Sequence, residues 1–224
     1  MAAQNSWPIF QLDVKSTFLH GDLREEEGFQ KCPYKHTLFT KTEDEGKMLI
    51  VCLYVDDLIY TGNNTAMFGC FKKSMMAEFE MFDLGVMHYF LGIEVVQSST
   101  RIFISQKKYV RDIMNKFQMK DCNPVNTPSE FGMKLNKDDG RKKVDDTIYN
   151  QIVGSLMYLT ATRPDKKHDV SVIRRYMECP TEIHLLAAKR IFSYLQGTKD
   201  NGLFYRTLQK QSMANNGKIV LHIE

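Results

Sequence analysis

Apolar positions follow two periods along this chain. Early on they run in short blocks that suit strands. Residues 7–14, WPIFQLDV, read as a strand built on Ile9, Phe10, Leu12 and Val14, with Asp13 near its end. Residues 48–62, MLIVCLYVDDLIYTG, form an apolar run broken once by two adjacent acids. Met48 to Val55 predicts a buried strand and Leu58 to Tyr60 a second, shorter one. Asp56 and Asp57 fall between them, where a tight hairpin turn belongs; Asp suits turns because its side chain bonds its own backbone. His88 to Gln97 and Arg101 to Ser105 predict two more strands around a Ser-Ser-Thr turn.

Elsewhere the period is helical. Met67, Phe71, Met75 and Phe79, with Phe68 beside them, predict a helix over 66–81. Its methionines read as gap-filling core, Lys72 and Lys73 as surface charge, and Asp83-Leu84-Gly85 as the turn that ends it. Tyr109, Val110, Ile113, Met114 and Phe117 predict a helix over 106–119. Residues 148–161 predict another, and 170–177 a weaker one. Pro180-Thr181 opens a last helix through Gln196, with Thr181 suited to the N-cap and Gly197 to the stop. Residues 129–147 are polar and read as a linker. Strands first and helices later make the fold class α+β with an antiparallel sheet.

Composition adds bounds. The hydrophobic share of 43% and charged share of 25% suit globular protein. No apolar run approaches a membrane span, the first residues are not a signal peptide, and no membrane partner is expected. Five separated cysteines without CxxC fit reduced thiols of the cytoplasm or nucleus. A net charge of +3 permits nucleic-acid binding without pointing to it.

The paired acids change the picture more. Two carboxylates at one turn repel, and burying either is costly without a positive neighbour. Mg²⁺ suits sites with one or two carboxylates plus substrate phosphates. Asp13 alone reads equally well as a cap at a strand-to-helix junction. Taken with Asp56 and Asp57, it makes a third acid at the end of a neighbouring strand, and such acids suit two metal ions about 3.5–4 Å apart.

QLDVKSTFLHGDL followed by LYVDDLIYTGNN resembles the palm of a reverse transcriptase from copia-type long-terminal-repeat retrotransposon polyproteins. The likeness continues through FKKSMMAEFEMFDLGVMHYFLGIEV, IFISQKKYV, KDCNPVNTP, IVGSLMYLTATRPD and HLLAAKRI, covering roughly residues 7–206. It implies a palm-like sheet with packed helices over 7–97 and a thumb-like hairpin and helix over 98–128. A linker at 129–147 and a helical connection toward a ribonuclease H domain over 148–206 follow, and then a divergent tail at 207–224. The implied reaction is RNA-directed DNA polymerisation. Asp13 and Asp56 would hold two Mg²⁺ ions, with Asp57 in support and the Val14 carbonyl as a further ligand. Phe18 would exclude a ribose 2′-hydroxyl, although a Phe there also suits a core. Tyr54, Val55 and the segment Phe90, Leu91 and Gly92 would touch the primer, although Gly92 also reads as an ordinary strand glycine. Lys107, Lys108 and Arg111 would meet nucleic-acid phosphates or form a solvated helix face. The implied partners are an RNA or DNA template–primer, dNTPs and other parts of the polyprotein.

Departures from the family matter too. Asp56 follows Asp13 by only 43 positions. The family has a longer insertion there, with a helix that floors the nucleotide pocket. The fingers, expected before Trp7, are expected to be missing as well. Phe29, Tyr34 and Phe39 would then cover part of the exposed palm. Lys166, Lys167 and His168 replace more apolar residues, which is expected to weaken the helix that follows. These departures predict impaired or absent polymerisation. The alternative is a non-catalytic remnant that binds nucleic acid or another protein.

Overall fold

The computed structural model describes residues 1–14, 28–55, 57–130, 132–133, 135–137 and 140–206, and the backbone of 222–223. Phe18, Asp56 and nearly all of the 207–224 tail therefore lie outside the described residues. The chain divides into two compact units. One is built mainly from Met1–His88 and Gln97–Ile102, the other from Tyr89–Val96 and Phe103–Phe204.

The first unit is a sheet backed by a helix. A single turn, α1 (Ala2–Asn5), precedes β1 (Ile9–Val14). β2 (Gln30–Cys32), β3 (Lys35–Glu43), β4 (Lys47–Tyr54) and β5 (Asp57–Gly62) follow, then α2 (Thr65–Glu78) and β6 (Met81–Val86). The six strands lie in the order β2-β3-β4-β5-β1-β6, antiparallel throughout. Alternation sends Leu12, Val14, Val51, Leu58 and Tyr60 to one face, where Met67, Phe68, Phe71 and Met75 of α2 bury against them. Each such side chain contributes roughly 1.5–3 kcal/mol of hydrophobic stabilisation. Asn64 caps α2, its Oδ1 accepting from the Met67 amide at 3.0 Å.

Three expectations change here. Asp83-Leu84-Gly85 is part of β6, where the pairing with β1 shifts register between Gln11 and Leu12. Gly85 at φ +70° supplies the left-handed backbone of that irregularity, which reads in sequence as a turn. Lys72 is not merely surface charge: it pairs with Asp83. Phe29 and Phe39 are core residues rather than covers, and Tyr34 is exposed.

In the second unit β7 (Tyr89–Phe90) turns tightly into β8 (Ile93–Gln97), and β9 (Arg101–Ser105) follows. The single strand expected over 88–97 is thus a hairpin. Its tip, Leu91 and Gly92, has φ +46° and +77°, the two successive positive values of a type I′ turn. Four helices share one core: α3 (Lys107–Lys116), α4 (Asp146–Leu159), α5 (Lys167–Arg174) and α6 (Glu182–Gly197). β10 (Leu203–Arg206) and β11 (His222–Ile223) complete a sheet of order β11-β10-β9-β8-β7. Described residues of the polar 129–147 stretch, Leu135 and Val144 among them, are tied down. Leu135 O accepts from Tyr176 Oη at 2.7 Å, and Val144 N donates to Pro180 O at 3.0 Å.

The charged Lys166-Lys167-His168 does not prevent α5 from forming. Lys166 is buried, 3.3 Å from the Asp165 carboxylate, and its ammonium sits 3.6 Å from the Tyr194 ring centroid. Arg163 is 1% exposed, grips Asp165 through two bonds of 3.0 and 2.8 Å, and donates to Thr198 O. The burial of Asp165 disfavours its charge. The Arg163 bonds and the nearby Lys166 outweigh that and hold the carboxyl below its usual range.

Candidate active site

The sheet brings two of the three expected acids together. β1 and β5 pair with Leu12 opposite Leu58 and Asp13 opposite Asp57. The leucines are fully buried on the α2 face, so the acids share the other face. Directly opposed side chains have Cβ atoms about 4.5–5.5 Å apart, and like charges there repel. Asp57 is the first residue of β5, not a turn residue, and lies across from Tyr54.

The turn itself is strained. Only Val55 and Asp56 separate the paired Tyr54 and Asp57. Val55 has φ +53°, a conformation that a β-branched residue rarely adopts. Gly, Asn or Asp would meet this requirement at lower cost. Tyr54 and Val55 are both exposed beside the acids. Strain of this kind concentrates where a site must hold an unusual shape.

A residue that sequence reasoning passed over completes the arrangement. Gln11 lies two positions before Asp13, on the same face of β1. It is buried, and its Nε2 donates to Asp57 Oδ1 at 2.8 Å. A polar residue in phase with a candidate carboxylate was the available signal; its target lies 46 residues away. Phe82, opposite Asp13 on β6, is exposed on the same side. The Tyr60 phenol is pushed up to about 12, by burial and then by the Asp83 charge, so it stays neutral in the core.

The donor set is all oxygen, which suits Mg²⁺ rather than a thiolate-seeking ion. Among the described residues no three of His, Cys, Asp or Glu gather around one point; Asp56 is not among those residues.

The second unit carries the other expected contacts. Phe90, Leu91 and Gly92 form the β7–β8 hairpin. Glu94 on β8 accepts from the Lys108 amide at 2.8 Å, anchoring the start of α3. A carboxylate at a helix N-terminus also meets the favourable end of the helix dipole. The expected phosphate contacts separate into different environments. Lys107 pairs with Asp200, the Lys108 ammonium lies 5.7 Å from the Tyr89 ring centroid, and Arg111 is exposed.

Comparison with known proteins settles the family. Residues 25–131 match the family described as reverse transcriptase (RNA-dependent DNA polymerase). The chain belongs to the reverse transcriptase family of copia-type retrotransposon polyproteins. It is 32% identical over 250 residues to the retrovirus-related Pol polyprotein from transposon RE1 of Arabidopsis thaliana, covering 92% of this chain and 17% of that protein. It is 31% identical over 259 residues to the Pol polyprotein from transposon TNT 1-94 of Nicotiana tabacum, covering 92% of the chain and 20% of the relative. An uncharacterized mitochondrial protein of Arabidopsis thaliana is 36% identical over 168 residues, covering 75% of this chain and 68% of that one. The chain thus spans about a fifth of the polyproteins it matches. Both polyprotein alignments are longer than the 224-residue chain, so these relatives carry residues with no counterpart here. No solved structure matches. No helix among the described residues is long and apolar enough to cross a membrane.

Proposed function

We propose that this chain carries the carboxylate-bearing palm of an RNA-directed DNA polymerase, with primer extension impaired or lost. The carrying observation is the register that sets Asp13 opposite Asp57 beside the strained Val55 turn. Asp13, Asp56 and the Val14 carbonyl would hold Mg²⁺, with Asp57 in support. When bound, the metal would favour deprotonation of a primer 3′-hydroxyl and neutralise charge on the dNTP phosphates. Gln11 orients Asp57 and takes up part of its charge through a hydrogen bond. Tyr54 and Val55 offer an exposed ledge to the primer end, Phe90 to Gly92 offer a second contact, and Phe18 is assigned the sugar-selecting role.

The overlong alignments support the impaired reading, because these relatives carry residues that this chain lacks. Catalysis of this class rests on positioning, and a misplacement of about 1 Å can cost 10²-fold. Purified chain, template–primer, dNTPs and Mg²⁺ test the reading, with Asp56→Asn as control. Slow extension abolished in the variant, or no extension above the variant, agrees with the impaired reading; rapid, extended synthesis that Asp56→Asn abolishes refutes it.

A second reading, a nucleic-acid-binding remnant without catalysis, is favoured by the basic, exposed face of α3. It predicts salt-sensitive duplex binding indifferent to Asp56→Asn and weakened by neutralising Lys108 and Arg111.

A further inference from the structure

The hairpin assigned to the primer is two short strands joined by a two-residue turn. A hairpin of that size is marginal by itself in water. Pairing of β8 with β9 supports its strands, and its tip has partners of its own. Its β8 side is anchored through Glu94 to the start of α3. The tip is met by α4: the Tyr158 hydroxyl donates to the Leu91 carbonyl. Tyr158 is itself braced, its ring 4.9 Å from that of Tyr109 in an edge-on packing. Tyr109 in turn donates from its hydroxyl to Ser155 O at 3.2 Å, one turn back along α4.

Gly92 fits this arrangement in two ways. Its φ of +77° completes the type I′ turn, and a Cβ built on it would stand 3.0 Å from the Tyr158 hydroxyl. A side chain at 92 would therefore strain the turn and crowd the hydroxyl together. The exposed tip is held in one shape by a helix whose start lies more than fifty residues further along the chain.

We propose that Tyr158 is a positioning residue for the primer, latching the Leu91–Gly92 tip so that the hairpin presents a fixed backbone to the primer strand. The latch does not touch the reacting atoms and acts through Leu91. This rests on the reading of the hairpin as a primer contact, and the test separates the two.

The full chain is titrated with a fluorescein-labelled RNA–DNA hybrid carrying a recessed DNA 3′-end, and separately with the single-stranded RNA. Three variants are compared: Phe90→Ala, Tyr158→Phe and Gly92→Ala. Amide exchange at residues 90–94 and thermal melting are followed in each. Phe90→Ala tests the hairpin itself and is expected to weaken hybrid binding. Tyr158→Phe removes only the hydroxyl. It is expected to weaken hybrid binding about threefold to tenfold, the worth of one hydrogen bond, and to leave single-strand binding unchanged. It should speed exchange at the hairpin without lowering the melting temperature. Gly92→Ala should weaken hybrid binding and speed hairpin exchange at least as strongly. If Phe90→Ala weakens hybrid binding while Tyr158→Phe alters neither binding nor hairpin exchange, the latch is overturned and the primer contact stands. If Phe90→Ala leaves hybrid binding unchanged, the primer contact is overturned and the positioning role falls with it. A Tyr158→Phe variant that melts early and exchanges faster throughout the helical unit has a merely structural defect, which also overturns the proposal.

Discussion

Asp13→Asn tests whether the opposed acids are a site kept at a cost to the fold. Asp13 and Asp57 occupy one antiparallel pair position, and both are half-buried rather than enclosed. At about 5 Å, two unit charges repel by roughly 0.8 kcal/mol in water and roughly 3 kcal/mol at an effective dielectric of about 20. Partial exposure favours the lower figure, and like charges opposed across strands cost about 0.2–1 kcal/mol. Asn keeps the shape of Asp and removes the charge. Asp13→Asn should therefore stabilise the metal-free protein by about 0.5–1 kcal/mol, a rise of roughly 1–4 °C in melting temperature. Magnesium should reverse the ranking. An ion bound only by the folded state at ten times its Kd stabilises by about 1.4 kcal/mol, and the variant loses much of that gain. The assay is thermal melting by circular dichroism with EDTA and with MgCl₂, at matched ionic strength. The reasoning is refuted if Asp13→Asn melts below the wild type in EDTA, or if Mg²⁺ raises both proteins equally.

Two other predictions each concern a feature inside one unit. Asp165→Asn leaves two buried cations, Arg163 and Lys166, without their carboxylate, and urea unfolding should show a loss of roughly 3 kcal/mol at pH 7. Because the folded carboxyl titrates below its usual range, this stabilisation is complete above the ordinary Asp pKa of about 3.9. It disappears as pH falls through the lower folded value, and the difference between wild type and variant should vanish there. Val55→Asn relieves a β-branched residue held at φ +53° and should stabilise by about 1 kcal/mol; a loss of stability in the same urea assay would show that the turn is not strained.

Much of the first unit was legible in its pattern. The apolar run in MLIVCLYVDDLIYTG, broken once by its acids, places a hairpin there because a turn with Asp on its shoulder is a local matter. The stripe of Met67, Phe71 and Met75 marks α2 for the same reason. β6 was hidden because its register shift uses Gly85 at positive φ, and a glycine beside an aspartate reads as a turn. The β7–β8 hairpin was hidden because Leu91, the first residue of its turn, carries no turn signature. Lys166 misled in the opposite direction: a lysine beside Lys167 and His168 reads as solvated, but Tyr194 and Asp165 receive it from other parts of the chain.

The order of motifs along the chain was enough to place it in the reverse transcriptase family and to single out Asp13, Asp56 and Asp57 as its candidate acids. Local pattern also sufficed for most helices, since helical contacts lie three or four residues apart and are written consecutively. Only the tertiary structure decided who faces whom. That Asp57 stands opposite Asp13 and takes its hydrogen bond from Gln11, that Asp83 holds Lys72, and that Tyr158 holds Leu91 are pairings across 11 to 67 residues. No period in the sequence spans such distances. They follow from which strands pair, in which register, and from the backbone that brings them there.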